Sequence, residues 1–183
     1  MKKLLPTAAL LLALPWAAHA QVSLYLQPSV VAVFLGSNLQ DTVGGSVAVG
    51  TSFHGPNSIE VSFASFDTHL KGDSTDTFKF NQFLASYLYE VPVSKRVSFH
   101  VGASLGATQE QRNYEVDYMM PFGVVDYNLS AHALTYGARG DVAYHFTPNF
   151  SAVLGAGVLG LSQTAITTGG SMAQLSLGVN IRF

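Results

Sequence analysis

Apolar residues fall at every second position over most of the chain, and turn-forming residues stand where that alternation breaks. From Met172 to Phe183 it is uninterrupted: Ala173, Leu175, Leu177, Val179, Ile181 and Phe183 share one parity, and Gln174, Ser176, Gly178, Asn180 and Arg182 share the other. A period of two puts successive side chains on opposite faces of a strand, and about 9–11 tilted residues suffice to cross a bilayer. Residues 97–108 repeat the pattern, with Val97, Phe99, Val101, Ala103, Leu105 and Ala107 set against Ser98, His100, Gly102, Ser104, Gly106 and Thr108. Five further segments read the same way less cleanly: 43–54, 59–64, 78–91, 134–146 and 150–162. An eighth, 22–35, changes parity partway, with Leu24 and Leu26 on one side and Val31, Val33 and Leu35 on the other. A β-bulge at Pro28, which has no N–H for a ladder, is expected to bring both halves onto one face.

The connections alternate in length. Short ones at 55–57, 92–96 and 147–149 alternate with longer ones at 36–42, 71–77, 109–130 and 163–171. An antiparallel barrel with an even strand number, short periplasmic turns and long outer loops gives this rule, whereas a soluble sandwich does not. The expected fold is therefore all-β: an eight-stranded antiparallel up-and-down transmembrane β-barrel.

Composition sharpens this picture in four ways. Residues 1–20 open on Lys2 and Lys3, continue through an apolar run and end at Ala18-His19-Ala20, which predicts a cleaved signal peptide and a barrel domain over 21–183. Without Lys2 and Lys3, seven basic residues face eleven acidic ones, a net charge of minus four, so nucleic acid is not an expected partner. There is no cysteine, so no disulfide helps hold an exported fold. No apolar run after the leader reaches the roughly 18 residues of a membrane helix, although 48% of the sequence is hydrophobic and only 11% charged.

On the outward parity, Phe53, Tyr89, Phe99, Tyr144, Phe146, Phe150 and Phe183 gather at the short-turn ends, as an interfacial aromatic girdle would. Glu60, Glu90, Arg139, Asp141 and Arg182 fall on the inward parity. A narrow barrel leaves little water for them, so they are expected to pair, Arg139 with Asp141 and with Glu90 across the lumen. The alternative for this network is a gate or proton path. Leu84, Leu88, Val153, Leu159 and Leu161 also point inward, which suits a conduit for small or hydrophobic solutes.

The complete pattern resembles the OmpA-like, opacity-type family of small outer-membrane proteins. The residues that carry the likeness are Tyr87-Leu-Tyr-Glu-Val-Pro, Val97-Ser-Phe-His-Val-Gly-Ala-Ser-Leu-Gly and Asp141-Val-Ala-Tyr-His-Phe-Thr-Pro-Asn-Phe, which look like the family's central hairpin and third turn. The peptidoglycan-binding domain that many relatives append is not expected here. The last strand resembles the C-terminal signal of such barrels, which implies that Leu175, Leu177, Val179, Ile181 and Phe183 are read by the barrel-assembly machinery. The resemblance further implies a bacterial outer-membrane location, contact with membrane lipid and lipopolysaccharide, and a monomer without a cofactor.

Specific activity is expected in 109–130, read as a long surface loop. Its Tyr114, Tyr118, Met119, Met120 and Phe122 make an adaptable contact surface, and the resemblance suggests adhesion to a host or matrix ligand. The other reading of this loop is one folded onto its own barrel mouth. An OmpW-like channel or small porin is the competing function. A rim enzyme is the least favoured: Asp67 and His69, alternate residues near the outer end, come closest to a catalytic pair, and neither an enzyme nor a metal site is expected.

Overall fold

The computed structural model of the protein describes residues 22–36, 38–53, 55–118, 123–164, 166 and 169–183, with the backbone alone at 73–75, 115–118 and 123–126. The expected leader lies outside them. Eight strands run β1 (Ser23–Leu35), β2 (Thr42–Phe53), β3 (Asn57–Leu70), β4 (Asp73–Pro92), β5 (Val97–Tyr118), β6 (Gly123–Thr147), β7 (Phe150–Leu161) and β8 (Gly170–Arg182). Each pairs antiparallel with the next and β1 closes on β8, so the sheet is a closed up-and-down barrel. Closure matters physically. It leaves no strand edge inside a bilayer, where an unpaired N–H or C=O would have no water to bond.

The lipid-facing parity is as the alternation predicts. Val43, Val61, Leu105, Leu134, Leu154 and Leu177 all stand exposed on the outer surface. Phe63 and Phe83, directly paired across β3 and β4, touch there with ring centroids 4.8 Å apart. At the short-turn end Phe146 lies 5.1 Å from the Tyr144 ring and 5.7 Å from that of Phe150. The chain end is stitched into this rim, the Phe183 amide donating to the Leu24 carbonyl at 2.8 Å.

Three expectations need correction. There is no bulge at Pro28: β1 runs in one register against β2 from Ser23↔Ser52 to Val33↔Thr42. Against β8 the ladder passes over 27–28 and resumes in step at Ser29↔Gly178. The proline faces outward and loses a rung without shifting the strand, so Val31, Val33 and Leu35 point into the lumen beside Tyr25 and Gln27. Next, 71–77 is mostly strand, because a tight turn at Lys71-Gly72, with Gly72 at φ 91°, lets β4 begin at Asp73.

The third correction is the largest. Residues 109–118 and 123–130 are paired strands of a β-hairpin rather than a loop, with β5 and β6 in register without interruption from Val97↔Tyr144 to Tyr118↔Gly123. β4 leaves β5 at Thr77↔Asn113 and β7 leaves β6 at Thr135↔Leu161, so the ribbon continues beyond its neighbours. β5 and β6 have 22 and 25 residues where β1 and β8 have 13 each. The extra length, at about 3.3 Å per residue, carries the hairpin roughly 30 Å along the strand direction past the short strands. Alternation weakens there because no lipid faces the ribbon.

Candidate functional site

The lumen is filled in layers. Nearest the middle is an ionic cluster built by β1, β3 and β6. Arg139 sits on β6, paired with Gly102 of β5 and Gly157 of β7, and its guanidinium reaches across the lumen. There Nη1 lies 2.5 Å from Glu60 Oε1, Nη2 2.6 Å from Asp141 Oδ2 and Nε 3.1 Å from the same oxygen. The Tyr25 hydroxyl donates to the other Glu60 oxygen at 3.1 Å. Two carboxylates thus share one guanidinium, and a phenol supplies a further donor.

Glycines make the cluster fit. A Cβ on Gly50 would run into the Tyr25 ring, and one on Gly155 into the Asp141 carboxylate. Glu60 and Asp141 are 1% and 4% exposed, so each group depends on the others for the hydrogen bonds water would have given. Glu90 is not the cross-lumen partner of Arg139. It lies farther toward the short turns, opposite His100 in the β4–β5 register, with 3.8 Å between its carboxylate and His100 Nε2. Arg182 belongs to that same mouth and shares an open cleft with Glu90, Ser98 and His145. The Glu60–Arg139 pairing spans 79 residues of sequence and three strands of barrel, and only the shear of the closed sheet brings the two together.

Above the cluster lies a layer of neutral donors and acceptors. Gln82 Nε2 donates to Thr108 Oγ1 at 3.3 Å, Thr108 and Thr135 hydroxyls are 2.6 Å apart, and Gln174 Nε2 donates to Gln82 Oε1 at 3.2 Å. The next layer is apolar: Val31, Val33, Phe66, Phe78, Phe80, Leu84, Leu159 and Met172 pack as one core, with the Phe66 and Phe80 rings stacked 5.2 Å apart. Each such side chain contributes about 1.5–3 kcal/mol relative to standing in lumenal water. Of the aromatic members, Phe66 and Phe80 are cross-strand partners, flanked on the outward parity by the polar pairs Ser65↔Asn81 and Asp67↔Lys79.

The spaces left around the ionic cluster are small. One of about 70 Å³ lies beside Arg139 and Gln82, and another of about 20 Å³ lies between Tyr25, Leu88 and His145. Glu60 and Asp141 border both, so the ionic cluster stands between them. Leu84, Leu88, Val153 and Leu159 do point inward as expected, but they fill the lumen instead of lining a path.

The hairpin begins on an ion pair. Arg112 makes Nε bonds of 2.9 and 3.1 Å and an Nη2 bond of 2.5 Å to the Asp76 carboxylate, with its guanidinium over the rings of Phe78 and Tyr114 at 5.2 and 4.8 Å. The hydrogen bonds to Asp76 raise the Arg112 pKa above its ordinary value, against the smaller opposing effect of desolvation. Tyr114 in turn stacks on Tyr127 across the ribbon at 5.3 Å. Of the other expected contact residues, Tyr118 pairs with Gly123 at the last rung, and Met119, Met120 and Phe122 lie outside the described residues. Asp67 and His69 face outward, with His69 Nδ1 3.4 Å from Thr77 Oγ1. No group of three metal-binding side chains occurs among the described residues. On β8, Leu175 and Leu177 are exposed on the outer face and Val179 and Ile181 share it partly covered, and Phe183, just past the strand, is exposed.

The family model described as outer membrane protein beta-barrel domain matches residues 6–183. No curated protein matches the chain in sequence. Among solved structures it is similar to a major outer membrane protein from Thermus thermophilus, with 15% identity and a TM-score of 0.65 over 87% of this chain and 99% of that one. It is also similar to Neisserial surface protein A, with 17% identity and a TM-score of 0.61 over 88% and 97%. A third is Ail, the attachment invasion locus protein of Yersinia pestis, with 20% identity and a TM-score of 0.56 over 88% and 97%. At these identities the likeness is one of fold.

Proposed function

Since the chain belongs to the outer membrane protein β-barrel domain family and resides in the bacterial outer membrane, we propose that it is a surface mount whose β5–β6 hairpin makes adhesive contact with a partner outside the cell. The observation that carries this reading is the hairpin itself. Its strands stay paired out to Tyr118↔Gly123, held at the base by Asp76–Arg112 and stiffened by the Tyr114–Tyr127 stack, so a contact made there needs little ordering of the ribbon. The filled lumen supports the same reading, because a solute channel would need a path where the Arg139 cluster and the apolar layer now stand.

The chemistry of the hairpin indicates the kind of partner. Residues 109–130 hold four acidic residues, Glu110, Glu115, Asp117 and Asp126, against Arg112 alone as the basic one. Ail has been solved with the heparin analogue sucrose octasulfate. A polyanion suits this hairpin poorly, and its tyrosines, methionines and phenylalanine suit a protein surface. Asn113 and Asn128 are cross-strand partners, so a two-residue Asn-Gly turn between them shortens the ribbon without touching the barrel. Cells displaying the shortened protein should lose most adherence to protein-coated or host-cell surfaces while the barrel keeps its heat-modifiable gel mobility. Adherence equal to that of the parent would overturn the proposal.

A further inference from the structure

The charged residues are sorted along the barrel axis. Of the eleven acidic residues, eight stand towards the hairpin end, Glu60 and Asp141 are bound to Arg139, and Glu90 alone lies at the short-turn end. Three basic residues gather at that end: Lys95 and Arg96 in the β4–β5 turn, and Arg182 as the last residue of β8. None of the three makes an ion pair among the described residues. They line one cleft of about 480 Å³, together with Pro92, Phe146 and Pro148. The backbone that carries them is tied down. The Ser94 hydroxyl accepts from the Arg96 and Val97 amides at 3.2 and 3.1 Å, the His145 amide donates to the Arg96 carbonyl at 2.7 Å, and the Arg182 amide donates to the Asn149 carbonyl at 2.9 Å. The other titratable groups of the cleft are engaged: His145 by Ser98 at 2.9 Å and Ser151 at 2.7 Å, and Glu90 opposite His100 at 3.8 Å.

We infer that this cleft binds the phosphate of an anionic phospholipid of the periplasmic leaflet, met by Lys95 and Arg96 from the turn and by Arg182 from the lumen side, with the acyl chains running along the outer face past Phe146. The cations select the phosphate, a guanidinium as a two-pronged donor and an ammonium as a point charge. Phe146 decides where that phosphate comes from. It lines the cleft and, packed beside Tyr144 and Phe150, also belongs to the aromatic girdle, so the cleft opens at the depth where lipid head groups lie. A zwitterionic head fits less well, because its ammonium group would enter among three cations with Glu90 as the one carboxylate among the lining residues. The cleft is at the opposite end of the barrel from the hairpin, so its failure would leave the adhesive reading standing.

The test places the refolded, isotope-labelled barrel in phosphatidylcholine nanodiscs and raises the fraction of phosphatidylglycerol stepwise. Amide shifts are followed by NMR at Lys95, Arg96 and Arg182, with Lys71 and Lys79, towards the hairpin end, reporting the effect of bilayer charge alone. The expected result is a saturating shift at the three cleft residues. In the double variant Lys95→Gln with Arg96→Gln, the half-point read at Arg182 should move to a phosphatidylglycerol fraction higher by about tenfold or more. Both replaced residues are exposed in a turn, so the variant should keep the heat-modifiable gel mobility of a closed barrel. Shifts that never saturate and appear equally at Lys71 and Lys79 would mean surface charge only and overturn the proposal, as would a half-point unmoved in the double variant. Soluble glycerol phosphate, added to pure phosphatidylcholine discs, should leave the cleft amides far from saturation. Saturation by it at the same total concentration as phosphatidylglycerol would overturn the lipid as the source of the phosphate.

Discussion

The half of the lumen near the short turns and the half near the hairpin are lined by the same strands, yet one is filled with a shared-charge cluster and the other with stacked phenylalanines, valines and a methionine. β1 makes the contrast within one element. Its inward residues change from Tyr25 and Gln27 to Val31, Val33 and Leu35 across Pro28 with no change of register. The two fillings respond differently to damage. In the polar half every member satisfies another, so removing one strands the rest in a dry site. In the apolar half contacts are numerous and individually small, so loss scales with the volume removed.

The sharpest break in the comparison is Arg139→Ala. It leaves Glu60 and Asp141 buried without their cation and should lower barrel stability by about 3–5 kcal/mol, read from urea unfolding in lipid vesicles. Replacing all three groups together, Arg139→Met with Glu60→Gln and Asp141→Asn, should restore most of that loss, since no charge remains to strand. If the triple variant is as unstable as the single one, the cluster is not the self-contained unit the geometry describes. In the other half, Met172→Ala should cost about 2–3 kcal/mol by opening a cavity beside Phe80, with a spread set by how far the layer collapses. A loss as steep as that of Arg139→Ala would mean the apolar layer is as brittle as the ionic one. Tyr25→Phe is smaller again, about 1–2 kcal/mol, because Glu60 loses one donor and keeps Arg139.

What the sequence makes legible follows from the same contrast. The alternation reveals the eight strands, their lipid-facing sets and the inward charges, because wherever the inner face is polar or small the period of two stands out. It fails where both faces are apolar. Above Pro28, Val30, Ala32 and Phe34 face lipid while Val31, Val33 and Leu35 face the core, and a run with no period invites a bulge that is not there. It fails again beyond the membrane, where β5 and β6 continue as a ribbon held by pairing and by the Tyr114–Tyr127 stack, with no lipid to impose alternation. The charges of the cluster are visible in sequence, but the choice of Glu60 over Glu90 for Arg139 is set by strand stagger around a closed sheet. Glycines opposite bulky inward groups, such as Gly50 beneath Tyr25 and Gly155 beside Asp141, are the signal that would have pointed to the right layer.

Planar-bilayer conductance of the refolded protein, wild type beside Arg139→Ala, tests the filled lumen most directly. A filled barrel gives no discrete steps from the wild type, and none from Arg139→Ala either, because the apolar layer of Val33, Phe66, Phe80 and Met172 closes the lumen on its own. Regular unitary openings of the wild type would refute that closure and return the barrel to the channel reading.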